Sequence, residues 1–511
     1  MSALPALQDQ RRRGTIRRRL RRPGVALSLL ALWLLATSWW RPLLLPDEGR
    51  YVGVALEMLQ HDVLVPTLLG LPYFHKPPLM YWIDLAAMQL LGINTLAARM
   101  APMLGGWLMA ASLYAHLRWR SSAREAGLAL LVLATTPFFF VGAQFANHDM
   151  LVAGLITATI VCARRSLALP AASSHLRWLL LAWAAAGLAV LAKGLIGIVL
   201  PGLVLVPWLL ATRRWRDIGR LLHPLALLLF VAIAVPWFVL MQLRFPAFFD
   251  YFFVEQHLRR FAGGGFNNAQ PFWFFAPVLV VLTLPWSLGL LAAWRRSARA
   301  DAARRERGFM LWWLLAVVAF FSLPTSKLVG YVLPALPPLV ALLCPVLARR
   351  HMVRWLAPLA LLLCLVVNFG LAWQAPKSNA DIGRALGALW QRGERVIFVD
   401  EVFFDVPFYA HLSQPPIVLD DWDAPAGSAK APADDWRREL RDAARFAAPG
   451  AASPLWPRAR AAELWCAPGV MWLVVRPGWR PPAEWGETNL AQRGQHAELL
   501  RARGAPHAGC P

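Results

Sequence analysis

Residues 25–45 have the sequence VALSLLALWLLATSWWRPLLL, and they follow the strongly basic segment RRRGTIRRRLRR of residues 11–22. The apolar segment is interrupted only by Arg41 near its end and by a few small polar residues. It is long enough to cross a bilayer, which takes roughly 17–25 residues. It is also too long for the core of a signal peptide, and no small-residue cleavage site follows it. We therefore predict an uncleaved first membrane span whose basic flank holds the N-terminus in the cytoplasm.

The composition of the whole chain supports a membrane protein. Of its 511 residues, 58% are hydrophobic and only 16% are charged, whereas a soluble protein typically carries about 25% charged residues. So few charges cannot cover a water-facing surface, which excludes the soluble, fibrous and disordered classes. The sequence predicts a polytopic α-helical membrane protein with room for one additional domain.

Hydropathy predicts eleven membrane spans, and the fold class is a bundle of about 11–13 transmembrane helices. The predicted spans are 25–45, 97–117, 126–146, 149–163, 176–192, 195–212, 221–242, 271–294, 308–324, 328–348 and 355–374. Residues 77–91 (PPLMYWIDLAAMQLL) are apolar but short and contain Asp84, so we assign them to an interfacial helix rather than a span.

The positive charges agree with this threading. Starting from a cytoplasmic N-terminus, five Arg-rich segments fall on the cytoplasmic side: 118–124, 164–165, 213–220, 295–307 and 349–354. Counting 77–91 as a span would invert all of them. The net charge of +23 is therefore explained mostly by the basic segments that hold the membrane topology. We expect no nucleic-acid partner.

The composition becomes polar after Ala375. Residues 395–402 (RVIFVDEV) and 470–477 (VMWLVVRP) are typical of buried strands, whereas Asp381–Trp390 and Trp436–Phe446 are typical of helices. We predict a transmembrane domain at 1–375, with a large first periplasmic loop at 46–96, and a small soluble α/β domain at 376–511. The odd number of spans places that domain in the periplasm.

The five cysteines form no CxxC motif and no Cys/His metal spacing. Two of them, Cys466 and Cys510, lie in the predicted soluble domain, where either a disulfide or two free thiols are compatible with the sequence.

Ionisable residues at a membrane boundary are costly, and this makes them functional candidates. In the predicted topology they collect on the non-cytoplasmic face. They comprise Asp47, Glu48, Arg50, His75, Lys76, Asp149, Lys193, Glu255, His257, Arg259, Arg260 and Lys327, together with Tyr331. Carboxylates, histidines and lysines converging on one surface suit a reaction on an amphipathic substrate that carries a phosphate.

Simpler roles are open for individual members of this set. Asp47 and Glu48 are also typical of a helix N-terminus, and His75 of an interfacial histidine with ordinary partners. Single lysines such as Lys76 are typical of anchors to lipid headgroups. A carboxylate that opens a short apolar span, as Asp149 does, needs a partner or a water-filled cavity.

The first loop, PDEGRYVGVALEMLQHDVLVPTLLGLPYFHKPPLMYWI, resembles that of the lipid A aminoarabinose transferases and their relatives. These are GT-C glycosyltransferases that use polyprenyl-phosphate sugars, distantly related to the protein O-mannosyltransferases (the PMT family). Further matches are AKGLIG (192–197), the His257, Arg260 and Phe261 element, QPFWFF (270–275) and SKLVGYVLP (326–334). The resemblance covers residues 25–375 in order.

The resemblance implies roles for individual residues. It implies that Asp47, Glu48 and Asp149 are catalytic. It implies that the donor or acceptor phosphates are held by Arg50, Lys76, Lys193, Arg260, Lys327 and Tyr331.

One position departs from the family pattern. His75 stands where the aminoarabinose transferases have a Glu that can bind a metal together with the histidine matched by His257. Two histidines suit zinc better than an oxygen-preferring ion, so a divalent metal such as zinc is the candidate cofactor, and a metal-free site is the alternative. The departure also argues against aminoarabinose as the sugar.

Together these features predict an inverting glycosyltransferase of the bacterial inner membrane. Its donor is a polyprenyl-phosphate-linked sugar, and its acceptor is lipid A, another glycan or a protein. A flippase or transporter of lipid-linked sugars is the alternative. It needs a basic phosphate-binding groove but not the acidic residues Asp47, Glu48 and Asp149, and a secondary transporter typically has midplane sites and internal repeats.

Overall fold

The computed structural model describes residues 23–170, 173–259, 268–290, 301–348, 352–374, 378–422, 436–450, 452–482 and 487–505. The chain divides into two compact units, each built from three stretches of sequence. The helical unit comprises Met1–Trp40, Arg99–Phe238 and Asn268–Gly370, and the mixed unit comprises Arg41–Ala98, Val239–Asn267 and Leu371–Pro511.

The helical unit is built from apolar helices, as the hydropathy predicts. Its helices are Pro23–Ser38, Met100–Arg120, Ala123–Ala134, Pro137–Gly142, His148–Leu167, Ser173–Lys193, Ile196–Ala211, Arg216–Leu221, Pro224–Arg244, Phe275–Leu282, Asp301–Ser322, Leu336–Leu347 and Val353–Gln374, and its 3-10 turns include Ala97–Arg99, Trp286–Gly289 and Val329–Ala335; some of these elements extend a few residues into the mixed unit.

Five stretches of helix in the described part of the chain are long and apolar enough to cross a membrane. They are His148–Leu167, Ser174–Lys193, Pro224–Arg244, Val329–Leu347 and Val353–Trp373. Shorter apolar helices include Pro23–Ser38 and Ile196–Ala211. This architecture is that of a multi-pass membrane protein.

Three predicted spans are interrupted at prolines. In the span predicted at 271–294, the helix ends at Leu282, before Pro285. The helix of the first span ends at Ser38, because the ring of Pro42 would clash with the carbonyl of Ser38 if the helix continued. The span predicted at 126–146 breaks after Ala134, and a new helix starts with Pro137 at its first position.

Small residues allow close helix packing inside the helical unit. A side chain at Gly105 would collide with the backbone of Leu151, and one at Gly154 would collide with the backbone of Gly105. The helices Met100–Arg120 and His148–Leu167 therefore approach backbone to backbone, the usual arrangement where lipid supplies no hydrophobic drive for association.

A charged network also links three helices of this unit. Glu306 accepts hydrogen bonds from His116 Nε2 at 2.7 Å, Arg120 Nε at 3.0 Å and Arg164 at 2.9 Å. One carboxylate thus compensates the two guanidinium groups in a largely buried position, where an unpaired charge would be costly.

The mixed unit contains the first loop. It folds as the helix Asp47–Gln60, the two-stranded hairpin β1 (Thr67–Leu68) and β2 (Leu71–Pro72), and the helix Leu79–Leu91. The last of these confirms the short helix predicted at 77–91. A π-helical segment, Asp250–Arg259, belongs to the same unit.

The C-terminal part of the mixed unit is a six-stranded sheet flanked by helices. Its strands are β3 (Arg395–Val399), β4 (Ile417–Asp420), β5 (Leu455–Pro457), β6 (Gly469–Val475), β7 (Thr488–Arg493) and β8 (Glu498–Gly504). Their order is β5-β4-β3-β6-β8-β7, with β8 antiparallel to both neighbours and the other pairs parallel. The helices are Ala380–Leu389, Val406–Tyr409, Trp436–Ala444 and Ala461–Cys466.

The sheet confirms the predicted α/β character of this region. Strands β3 and β6 occupy the two segments predicted as buried strands, and their apolar side chains form the core with Leu464 and Trp465. Cys466 is disulfide-bonded, whereas Cys510, the other cysteine of this region, lies outside the described residues. Among the described cysteines, Cys162, Cys344 and Cys364 are free thiols.

The first loop packs directly on the C-terminal segment. A Cβ at Gly49 would lie 3.0 Å from the backbone N of Asp405 and 3.1 Å from the carbonyl carbon of Phe404. The glycine of the Asp-Glu-Gly-Arg-Tyr segment is therefore the residue that lets its helix contact residues 404–405.

Candidate functional site

The Asp-Glu pair occupies the first turn of the helix Asp47–Gln60, and its two carboxylates have different surroundings. Glu48 is fully buried, forms an ion pair with Arg41 and accepts a hydrogen bond from the backbone N of Leu44 at 2.9 Å. Asp47 has 39% of its side chain exposed and accepts a hydrogen bond from Arg50 at 2.6 Å. Asp47 is therefore accessible for chemistry, whereas Glu48 fixes the start of the helix.

Arg50 lies one helical turn after Asp47 and is held by a second carboxylate from far along the chain. Its Nη1 donates to both oxygens of Glu439, at 2.7 and 2.6 Å. Only 13% of the Arg50 side chain and 7% of the Glu439 side chain is exposed. The guanidinium therefore bridges two carboxylates and has lost most of its water.

His75 lies at the edge of the same cluster. Its ring stacks on Tyr73, with centroids 4.6 Å apart, and its Nδ1 is 3.9 Å from Glu439. Burial raises the pKa of Tyr73 well above its ordinary value, and the negative charge of Glu439 adds to this. Tyr73 thus keeps its proton and points its hydroxyl at Glu439, 3.5 Å away. Lys76 follows directly and is half-buried.

Three further predicted residues come together in the helical unit. Asp149 forms an ion pair with Lys193, and Lys193 Nζ lies 4.7 Å from the centre of the Tyr331 ring. Both side chains of the ion pair are largely buried. The partner that Asp149 requires at the start of an apolar helix is therefore Lys193, with the face of Tyr331 as an additional contact for the cation.

The position of Asp149 is fixed from two sides. Asn147 caps its helix by accepting a hydrogen bond from the backbone N of Asp149 at 3.0 Å. On the other side the carboxylate packs on Gly330, where a Cβ would collide with it. The glycine of the SKLVGYVLP segment therefore provides the space that Asp149 occupies.

Lys327 has different surroundings from the other predicted phosphate ligands. Only 4% of the residue is exposed, and its Nζ donates to backbone carbonyls of Gln270, Pro324 and Thr325. The bond to Gln270 joins residues 268–270 to residues 324–327, together with backbone hydrogen bonds from Gln270 N to Thr325 O and from Lys327 N to Asn268 O. The structure thus gives Lys327 a loop-fastening role.

Two predicted residues cannot be placed. Arg260 lies outside the described residues, and the side chain of His257 does too. Among the residues that the structure describes, no group of three or more His, Cys, Asp and Glu is arranged to hold a metal. Among these described residues, His75 and Glu439 together supply two donors, fewer than the three or four protein ligands usual for zinc.

Glu439 is the site residue that sequence reasoning missed. Its helix, Trp436–Ala444, has the sequence WRRELRDAA and is rich in charge, which resembles a solvated surface helix. Yet Glu439 and Asp442 are buried. Nothing in the local pattern distinguishes these buried acids from solvent-exposed ones.

Comparison with known families supports the predicted resemblance. A family model described as dolichyl-phosphate-mannose-protein mannosyltransferase (PMT) matches residues 24–252. This stretch includes the Asp-Glu-Gly-Arg-Tyr segment, His75, Asp149 and Lys193.

Curated relatives are named undecaprenyl phosphate-alpha-4-amino-4-deoxy-L-arabinose arabinosyl transferase. The protein from Serratia proteamaculans is 32% identical over 301 residues, which is 58% of this chain and 54% of the relative. The one from Pseudomonas paraeruginosa is 35% identical over 337 residues, covering 64% of this chain and 59% of the relative. The chain thus spans little more than half the length of these relatives.

A solved structure shares the fold over nearly the whole chain. The crystal structure of ArnT from Cupriavidus metallidurans bound to undecaprenyl phosphate matches with a TM-score of 0.77 and 24% identity, over 94% of this chain and 97% of that one. The archaeal oligosaccharyltransferase AglB from Archaeoglobus fulgidus matches with a TM-score of 0.53 and 14% identity, over 88% of this chain and 68% of that one.

The fold is therefore that of a polytopic helical membrane protein with a C-terminal α/β region, as predicted. The predicted resemblance is also confirmed: the chain is similar to the arabinosyl transferases named above over 58–64% of its length, and residues 24–252 match the PMT family model.

Proposed function

We propose that the protein is an inverting membrane glycosyltransferase that moves a sugar from a polyprenyl-phosphate carrier to an acceptor. One observation carries this proposal: the partly exposed Asp47 is held by Arg50 on the first turn of a helix, and Glu439 connects Arg50 to His75, which precedes Lys76. This arrangement combines a carboxylate with cations suited to a phosphate. The names of the curated relatives support a lipid-phosphate sugar donor.

The reaction follows from where charge develops. An acceptor oxygen forms a bond to the anomeric carbon while the bond from that carbon to the phosphate oxygen breaks, and the electron pair goes to the lipid monophosphate. We assign the stabilisation of the growing negative charge to Arg50 and Lys76, since cations stabilise such charge more strongly in a partly dehydrated pocket than in water. Attack on the face opposite the leaving phosphate inverts the anomeric centre.

Asp47 serves as the general base when the acceptor is a hydroxyl. Its carboxylate takes the proton that the attacking oxygen loses. When the acceptor is a phosphate, as on lipid A, there is no such proton to remove, and Asp47 then orients the sugar or the acceptor. Glu48, buried against Arg41, positions this helix turn and does not itself react.

The Asp149–Lys193 pair forms a second anion-binding element. Lys193 is oriented by Asp149 and by the ring of Tyr331, so its ammonium group is held in place before a ligand arrives. We assign it to a negatively charged group of the donor or acceptor. Arg260 is assigned to phosphate binding through the family resemblance alone.

The cellular placement belongs to the same proposal. We assign the protein to the bacterial inner membrane, with residues 1–375 as the membrane domain and residues 376–511 in the periplasm, where lipid A, another glycan or a protein is the acceptor. The Arg-rich segments between spans support this orientation. A phosphatase fused at Pro511 is expected to be active, and a fluorescent protein fused there is expected to be dark; the opposite pattern would contradict the orientation.

Mass spectrometry tests the transfer directly. Lipid A and surface glycans from cells with and without the gene are compared, and one sugar-sized mass is expected to disappear when the gene is deleted. The gene with Asp47→Asn should fail to restore that mass. The control is Asp62→Asn, which removes an exposed carboxylate paired with Arg244 in the same unit and should restore it. Identical glycans with and without the gene would contradict the proposal.

A further inference from the structure

Glu439 places a carboxylate of the C-terminal part of the chain on the predicted phosphate ligand Arg50. Both oxygens of Glu439 accept from Arg50 Nη1, and Asp47 accepts from Nη2. The planar guanidinium of arginine recognises carboxylates and phosphates with the same hydrogen-bonding geometry. Glu439 therefore occupies the position on Arg50 that a phosphate would take.

Charge reinforces this competition. A phosphate that approaches Arg50 in the present arrangement meets two carboxylates within hydrogen-bond distance of the same guanidinium. Like charges at such separations repel strongly where water is scarce. The Nε of Arg50 is buried and has no hydrogen-bond partner, so the guanidinium has a donor left to offer an incoming ligand.

Alternative partners for Glu439 are already in place. Its carboxylate lies 3.5 Å from the hydroxyl of Tyr73 and 3.9 Å from Nδ1 of His75. The phenol of Tyr73 is a hydrogen-bond donor, and the ring of His75 stacks on it. A small movement of Glu439 away from Arg50 would leave the buried carboxylate with hydrogen-bond donors.

We propose that Glu439 is an internal competitor of the donor phosphate: it binds Arg50 while the site is empty and transfers to Tyr73 and His75 when the phosphate of a polyprenyl carrier binds. This rests on the proposed function, in which Arg50 binds that phosphate. The helix Trp436–Ala444 thereby responds to donor occupancy, and Glu439 assists release of the lipid monophosphate by reclaiming Arg50.

Binding of undecaprenyl phosphate to the purified full-length protein in detergent tests this competition. Glu439→Gln removes the competing charge and is expected to tighten the Kd by about tenfold, equivalent to about 1.4 kcal/mol. The matched control is Asp442→Asn, which removes a buried carboxylate one turn along the same helix that pairs with Arg445 instead. Its Kd should stay within about twofold of the wild-type value.

The outcomes separate this proposal from the proposed function. A purely structural role for Glu439 predicts weaker binding in Glu439→Gln, because Arg50 would lose its support. Unchanged or weaker binding in that variant, with tight binding and transfer by the wild type, would overturn the competition and leave the transferase standing. A wild-type protein that does not bind undecaprenyl phosphate would overturn both.

A second measurement needs no variant. Hydrogen–deuterium exchange of the helix Trp436–Ala444 is followed in the wild-type protein with and without saturating undecaprenyl phosphate. Because Glu439 leaves Arg50 on binding, backbone exchange in this helix is expected to accelerate severalfold. Unchanged or slower exchange would show that the Glu439–Arg50 pair persists in the complex, and the proposal would fail.

Discussion

The buried carboxyl of Asp405 gives a stability prediction with a defined sign. Asp405 is fully buried and accepts hydrogen bonds from the backbone and side chain of Asn379 and from Ser378, at 2.7 to 3.1 Å. Burial raises its pKa from 3.8 to about 6, although these hydrogen bonds oppose the rise. The folded protein thus binds this proton more tightly than the unfolded chain does.

The magnitude follows from the two pKa values. Stability from this group is fully present below about pH 4 and is lost as pH rises through about 6. At about 1.36 kcal/mol per pKa unit, the loss between these limits is about 3 kcal/mol. Asp405→Asn cannot ionise, so its free energy of unfolding should lack this component. The substituted amide should impose a pH-independent cost of about 1–3 kcal/mol, because it presents a donor where the carboxylate accepted.

The assay is urea unfolding of the full-length protein in detergent, followed by tryptophan fluorescence between pH 4 and pH 7. The difference between wild type and Asp405→Asn is the quantity of interest, because other titrating groups are common to both proteins. The wild type should lose stability relative to the variant as pH rises. A difference that is constant across this range would refute the assignment of a raised pKa to Asp405.

Three predictions concern activity. Asp47→Asn should reduce transfer to a hydroxyl acceptor by about 100-fold or more with little change in the thermal unfolding midpoint. If the variant turned over at the wild-type rate, Asp47 would have only a structural role at the start of its helix. Gly330→Ala should impair activity because its methyl group displaces Asp149, whereas Gly202→Ala, with nothing near its Cβ, should not; equal activities would contradict this. If His75 contacts phosphate, His75→Glu should lose activity, and chelators should not affect the wild-type protein. If His75→Glu instead retains activity and stoichiometric zinc, measured by elemental mass spectrometry, the residue belongs to a metal site.

The sequence was sufficient to predict most of the fold, because hydropathy and alternation report burial directly. It predicted the helix Leu79–Leu91, strands β3 and β6 and the helix Trp436–Ala444 within a few residues. It did not predict that the first span stops at Ser38. Apolar composition continues past that point, whereas the ring of Pro42 would clash with the carbonyl of Ser38 in a continuing helix.

The candidate site was predictable only in part. Asp47, Arg50, Asp149 and Lys193 are costly charges at span boundaries, so their positions alone marked them. Glu439 was not recognisable, because its significance depends on a long-range contact that no local pattern encodes. Whether a metal binds at His75 stays a prediction.

The pairing of Arg50 with Glu439 has a consequence for biogenesis. The two residues are 389 positions apart, so at about 5–20 residues per second the ribosome delivers the glutamate roughly 20 to 80 s after the arginine. During that interval Arg50 has Asp47 as a partner but lacks the second carboxylate that holds it in the folded chain. We therefore expect the first loop of a nascent chain to be more sensitive to proteases until translation is nearly finished. A premature stop codon upstream of the helix Trp436–Ala444 is expected to yield a polypeptide that is degraded, because its first loop never meets Glu439.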